Sequence, residues 1–126
     1  MDKETHLIKY RRRRKAASNH ESIGEASESI LDDYRAAAGH LINAYLADHG
    51  VHEQNFDRLT RTIRANSHVF SSKPIADELA DVYENLKTLR GGLVYGGRKN
   101  GNAVEEAEQL LTKIKELVGI DPDSST

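Results

Sequence analysis

At 126 residues the chain has room for one helical core and not for two. Charged residues make up 30% and hydrophobic residues 37%, with no tryptophan and few aromatics, which is the composition of a soluble helical domain, and the absence of cysteine excludes disulfides and thiolate chemistry. The net charge of −2 is unevenly spread: Met1 to His20 holds seven basic residues against Asp2 and Glu4, a local balance of +5, so the remainder carries −7.

The first residues are charged where a secretory leader needs an apolar run, and no window approaches the roughly 20 apolar residues of a membrane span. A cytoplasmic protein with no membrane association is therefore expected. Residues 1–18 read as a basic N-terminal arm or a first helix. Arg11, Arg12, Arg13, Arg14 and Lys15 can neutralise phosphates and release counterions, which makes them candidate nucleic-acid contacts. The competing reading is a solvated charge run. No aromatic residue interleaves the arginines to stack on bases, so any such contact is electrostatic and not sequence-specific.

Residues 19–120 read as a helical bundle domain. From Glu25 to Asp48, Ala26, Ile30, Tyr34, Ala37, Leu41, Ala44 and Tyr45 follow the 3.6-residue period. Ala36, Ala37, Ala38 and Gly39 permit close approach of a neighbour, which predicts a central helix. Asp48-His49-Gly50-Val51 is a stop signal, with glycine suited to the left-handed position after the helix. A second helix is predicted from Glu53 to about His68, burying Phe56, Leu59, Ile63 and Val69 and exposing Arg58, Arg61 and Arg64.

Ser71-Ser72-Lys73-Pro74 marks the next start, and Ile75, Leu79, Val82, Tyr83, Leu86 and Leu89 form the apolar stripe that follows. Gly91 and Gly92 each cost about 1 kcal/mol relative to alanine in a helix. Either the helix ends there or another chain approaches its backbone. Gly96 to Asn102 reads as a loop, with Asn102 and Glu105 arranged as a capping box for a last helix lined by Val104, Ala107, Leu111, Ile114 and Val118. Residues 121–126 read as a tail. The sum is an all-α, four- to five-helix up-and-down bundle.

Most enzyme classes find no residues here. There is no phosphate-binding glycine loop with its lysine, no Gly-x-Ser-x-Gly elbow and no His-Glu-x-x-His pair. His49 and His52 flank Gly50 without further ligands, so no metal and no cofactor is expected. His40 reads as a core or interface histidine. Asp32-Asp33 and Glu105-Glu106, adjacent in sequence, read as solvated faces.

The long helix ending Leu41-Ile42-Asn43-Ala44-Tyr45-Leu46-Ala47-Asp48-His49-Gly50-Val51, the following Asn55-Phe56-Asp57-Arg58-Leu59, the segment from Leu89-Arg90 to Tyr95-Gly96 and the last helix from Ala103-Val104-Glu105-Glu106-Ala107 together resemble the HEPN superfamily. That superfamily is known from prokaryotic nucleotidyltransferase partners and toxin-antitoxin pairs. The resemblance spans most of Glu25 to Val118. Active members are metal-independent ribonucleases with an arginine, four to six intervening residues and a histidine. In that arrangement the histidine exchanges a proton near neutral pH and the arginine stabilises charge on the phosphate.

Here Arg90 is followed after four residues by Tyr95, where the histidine would stand. Tyrosine, with an ordinary pKa of about 10, is a poor base at neutral pH but can donate a hydrogen bond to phosphate. Arg61 and His68 match the spacing as an alternative catalytic pair, although they lie outside the segment the resemblance points to. Three readings follow. The first is a HEPN-like binding or regulatory protein, a homodimer, engaging a nucleotide, RNA or a nucleotidyltransferase partner through an Arg90–Tyr95 groove. The second is a metal-independent ribonuclease or toxin, and the third a structural adaptor bundle.

Overall fold

The computed structural model describes residues 2–22, 27–53, 55–95 and 100–120, and for 20–22, 27–28, 90–95 and 100–102 it describes the backbone alone. Among the described residues there are five α-helices, α1 (Lys3–Ser22), α2 (Ser27–Asp48), α3 (Leu59–Ala65), α4 (Lys73–Tyr95) and α5 (Asn100–Val118), and no strand. The chain is an all-α bundle. No helix among these residues is long and apolar enough to cross a membrane.

The basic N-terminal run is built into the bundle. Asp2 caps α1 by accepting from the Thr5 backbone N–H at 2.8 Å. Leu7, Tyr10 and Ala17, at helical spacing, are buried against the core. Lys3 pairs with Asp48, His6 meets His40 and Arg13 pairs with Asp33, so α1 and α2 run antiparallel along their length.

Helix α2 is the centre. Ala36, Ala37, Ala38 and Gly39 are all buried in succession, so this turn is covered on every side and only small residues fit it. It packs on α1, α4 and α5. A methyl group added at Gly39 would stand 2.6 Å from the Phe56 ring, which lies directly on the helix backbone. The stop after Asp48 forms as expected. Gly50 has a φ of 77°, its N–H donates to the Ala47 carbonyl at 3.1 Å, and the Val51 N–H donates to the Leu46 carbonyl at 2.9 Å, the paired bonds of a Schellman ending.

The helix expected from Glu53 to His68 is shorter than the apolar spacing implied. Asn55 accepts from the Asp57 N–H at 2.8 Å and starts a 3-10 turn over Phe56–Arg58, and α3 follows for only seven residues. At the far end Asn66 donates through its side-chain amide to the Thr62 carbonyl at 2.9 Å, and a second 3-10 turn covers Ser67–Val69. Polar side chains that bond their own backbone in this way compete with helix propagation. Tyr45 holds the second turn to α2, donating to the Val69 carbonyl at 2.5 Å and stacking on Phe70.

Ser72 accepts from the Ile75 N–H at 3.4 Å at the start of α4, as a serine N-cap should. That helix does not end at the glycine pair but continues through Gly91 and Gly92 to Tyr95. Helix α5 begins at Asn100, two residues before the expected cap at Asn102. The first part of the loop expected over Gly96 to Asn102, residues 96–99, lies outside the described residues, as does the tail from residue 121.

A Gly39→Ala substitution tests the closeness of this packing. In an open helix it would gain about 1 kcal/mol. Here displacement of the Phe56 ring should outweigh that gain, for a net loss of about 1–2 kcal/mol and a Tm lower by roughly 3–8 °C in a thermal melt. An increase in Tm would contradict the contact.

Candidate functional site

Arg90 and Tyr95 both lie on the last part of α4, and their side chains are outside the described residues. Five residues of regular helix turn the chain by about 140° beyond a full circle and rise about 7.5 Å, so the two backbone positions do not share a helix face. Arg61 sits on α3 and His68 on the separate 3-10 turn after it. Both are exposed, and no hydrogen bond joins them among the described residues. Glu84, six residues before Arg90 on α4, accepts from the Thr60 hydroxyl at 2.9 Å.

The arginine run divides by what each side chain touches. Arg11 faces Glu4 at 3.7 Å, Arg13 pairs with Asp33 at 3.0 Å, and Arg14 lies over the Tyr34 ring at 4.9 Å while reaching Glu108 at 3.7 Å. Arg12 and Lys15 are exposed and make no ion pair with the described residues. The expectation of a solvated Asp32-Asp33 face is corrected for Asp33, whose side chain is only 4% exposed and accepts from Arg13. Adjacent residues on a helix point about 100° apart, and Asp33 takes the direction that faces α1.

Behind Arg12 and Arg13 the space between α1 and α2 opens into a recess of about 250 Å³, lined by Lys9, Arg12, Arg13 and His40. Lys9, Arg12 and Arg13 occupy i, i+3 and i+4 of one helix, so they converge on one side of it. His40 approaches from α2. Its Nδ1 lies 3.2 Å from Nδ1 of the buried His6, and its ring meets the edge of Phe56 with centroids 5.1 Å apart. A second recess of about 380 Å³ adjoins at Arg13 and is lined also by Asp32, Arg35, Ala36 and Phe56. Arg35 donates to Asp57 at 2.9 Å, while its buried Nε has no hydrogen-bond partner among the described residues.

Electrostatics in the recess follow from that crowding. Burial, then His6, Lys9 and Arg13, push the His40 imidazole down to about 4, and burial also lowers His6. Both rings are therefore neutral at pH 7. With two neutral rings sharing an Nδ1 contact, one Nδ1 donates and the other accepts. On the far side of Phe56, burial pushes the Tyr83 hydroxyl up to about 12, so it stays protonated.

Periodicity marked His40 as a core or interface position without revealing its ring partner. The missed signal was the pairing of His6 on the basic helix with His40 on the central one, which the sequence separates by thirty-four positions. No protein-family model matches the chain, and no curated protein or solved structure matches it either. Among the described residues no group of three or more histidine, cysteine or carboxylate side chains could hold a metal ion.

The histidine pair predicts acid sensitivity. An imidazole whose folded pKa lies below its unfolded value contributes fully above about pH 6.5, and the contribution is lost as the pH falls toward 4. His40 faces His6, Lys9 and Arg13 from α1 and Phe56 from the following turn, so no carboxylate at this contact reverses the sign. After allowance for partial exposure of the ring, the loss from His40 is on the order of 1–2 kcal/mol. Denaturant unfolding at a series of pH values should show it, and His40→Gln should flatten the slope between pH 6.5 and 4.

Proposed function

We propose that this chain is a HEPN-like helical binding protein that engages RNA, and that its principal contact surface is the cationic face of α1. The observation that carries the reading is the anchoring of α1. Leu7, Tyr10 and Ala17 fix the helix to the core while the side chains of Arg11, Arg12 and Lys15 remain exposed. Charges held on a packed helix keep their spacing when phosphates arrive, so less ordering entropy opposes binding than on a loose arm. The expected mode is electrostatic, with affinity falling steeply as salt rises.

The Arg90 to Tyr95 segment enters this reading as a second contact, on the strength of the family resemblance. A homodimer fits it. Two backbone positions about 140° apart on one helix meet a common ligand more readily when a second copy supplies the facing surface. A nucleotidyltransferase partner on that surface is the alternative occupant, and a cytoplasmic location belongs to the same reading.

The test combines binding and cleavage of mixed single-stranded and structured RNA in EDTA. The parent should bind with a strong inverse salt dependence. Arg12→Ala together with Lys15→Ala should weaken binding about tenfold at low salt and reduce the salt slope by about two. Arg90→Ala should weaken binding without changing a cleavage rate that is already at background. Cleavage that persists in EDTA and disappears in Arg90→Ala would replace this reading with a ribonuclease, and undiminished binding in the double variant would remove α1 from the site.

A further inference from the structure

We infer that the recess between α1 and α2 is a binding site for a terminal phosphate, a phosphomonoester dianion, held by Lys9, Arg12, Arg13 and His40. The inference goes beyond the RNA reading and rests on it only for the polymer that would carry the phosphate.

Charge balance is the first argument. Lys9, Arg12 and Arg13 bring three positive charges to one small recess, and among the described residues the carboxylate paired with any of them is that of Asp33, on Arg13. Two positive charges are left over. Lys9 and Arg12 make no ion pair with the described residues, and like charges three and four residues apart on a helix repel. A doubly negative ligand matches the surplus, whereas a bridging phosphodiester in a chain brings only one charge.

The second argument is the hydrogen-bond inventory. A terminal phosphate offers three oxygens, each able to accept more than one bond. Arg12 and Arg13 supply planar forks suited to such oxygens, and Lys9 supplies a point charge. His40 completes the set as a neutral group. When its Nδ1 accepts from His6, its other ring nitrogen must carry the proton and is a donor. In that tautomer the buried His6 acts as a positioning residue for His40, and no titration is required for binding.

Direction is given by the neighbouring recess. It shares Arg13, is lined also by Arg35 and Asp32, and has Phe56 as its apolar wall. An organic group bearing hydroxyls fits that mixed charged and aromatic lining. The two recesses together accommodate a phosphate and the sugar attached to it.

Equilibrium binding of two RNAs of identical sequence, one with a 5′-phosphate and one with a 5′-hydroxyl, tests the site, with adenosine 5′-monophosphate against adenosine as the free-ligand pair. The parent should favour the phosphorylated member by about tenfold, the worth of one to two charge-assisted hydrogen bonds. Lys9→Ala and Arg12→Ala, both at side chains without ion pairs, should cut that preference to under about twofold, and circular dichroism should show both variants folded. Lys15→Ala should weaken both RNAs alike and leave the ratio unchanged.

Equal affinity of the parent for both RNAs and for both free ligands would overturn the inference while leaving RNA binding intact. A preference for the monophosphate over adenosine, dependent on Arg12, in a protein that binds no RNA would uphold the site and overturn the RNA reading. A preference that survives both variants would place the phosphate elsewhere and overturn the assignment.

Discussion

The turn of α2 from Ala36 to Gly39 is the constraint on which the rest of the structure depends. Four consecutive buried residues leave no outward face, so neighbours must surround the helix at that level. Only small side chains allow them close enough, and the Phe56 ring on Gly39 marks the limit of that approach. Burial of this kind also draws in whatever polar residues lie within a turn. Asp33, Arg35 and His40 all fall within four positions of the small-residue segment, and each acquires a partner from outside α2: Arg13 and His6 from α1 and Asp57 from the 3-10 turn. The polar contacts of the candidate site are consequences of how tightly α2 is enclosed.

Periodicity made the long helices legible. The apolar stripes on α4 and α5, the alanine-rich centre of α2 and the glycine stop at Gly50 all follow from spacing and from the one residue type that tolerates a positive φ. What spacing could not show is where side chains compete with the backbone. Asn55 and Asn66 shorten α3 because their amides bond neighbouring peptide groups, an effect that depends on local geometry and leaves no periodic mark. The glycine pair failed as a boundary for a related reason. A propensity cost of about 1 kcal/mol per glycine weakens a helix without stopping it, and α4 runs on to Tyr95.

The candidate site was less legible than the fold, because it is a tertiary pairing and not a motif. A run of four arginines reads in sequence as one block of charge, yet Arg11, Arg13 and Arg14 each meet a carboxylate among the described residues while Arg12 meets none of them. The helical period explains the division. Successive residues point about 100° apart, so a contiguous run necessarily splits between directions that face α2, α5 and solvent. Part of the basic run therefore serves to secure α1, and only the remainder can serve a ligand. Simple summation of the +5 balance would overstate the charge available for binding.

Arg12 and Lys15 are three residues apart, while Lys9 is three residues before Arg12. The cations with no ion pair to the described residues thus follow one gently drifting line on α1, and the paired ones flank it. Along that line the surroundings change from the recess at Lys9 and Arg12 to open surface at Lys15. Water screens the exposed end and competes with it for phosphate, whereas the recess removes part of that solvent and adds the directional groups of Arg13 and His40. One helix can therefore supply two kinds of recognition. In the proposed binding mode the outer end contributes long-range attraction that is indifferent to sequence, and the recess discriminates by the shape and charge of a single group. The proposed difference arises from His6 and His40, since a recess lined by cations alone would attract any anion, while a neutral imidazole held against a buried partner adds an orientation that only some anions can satisfy.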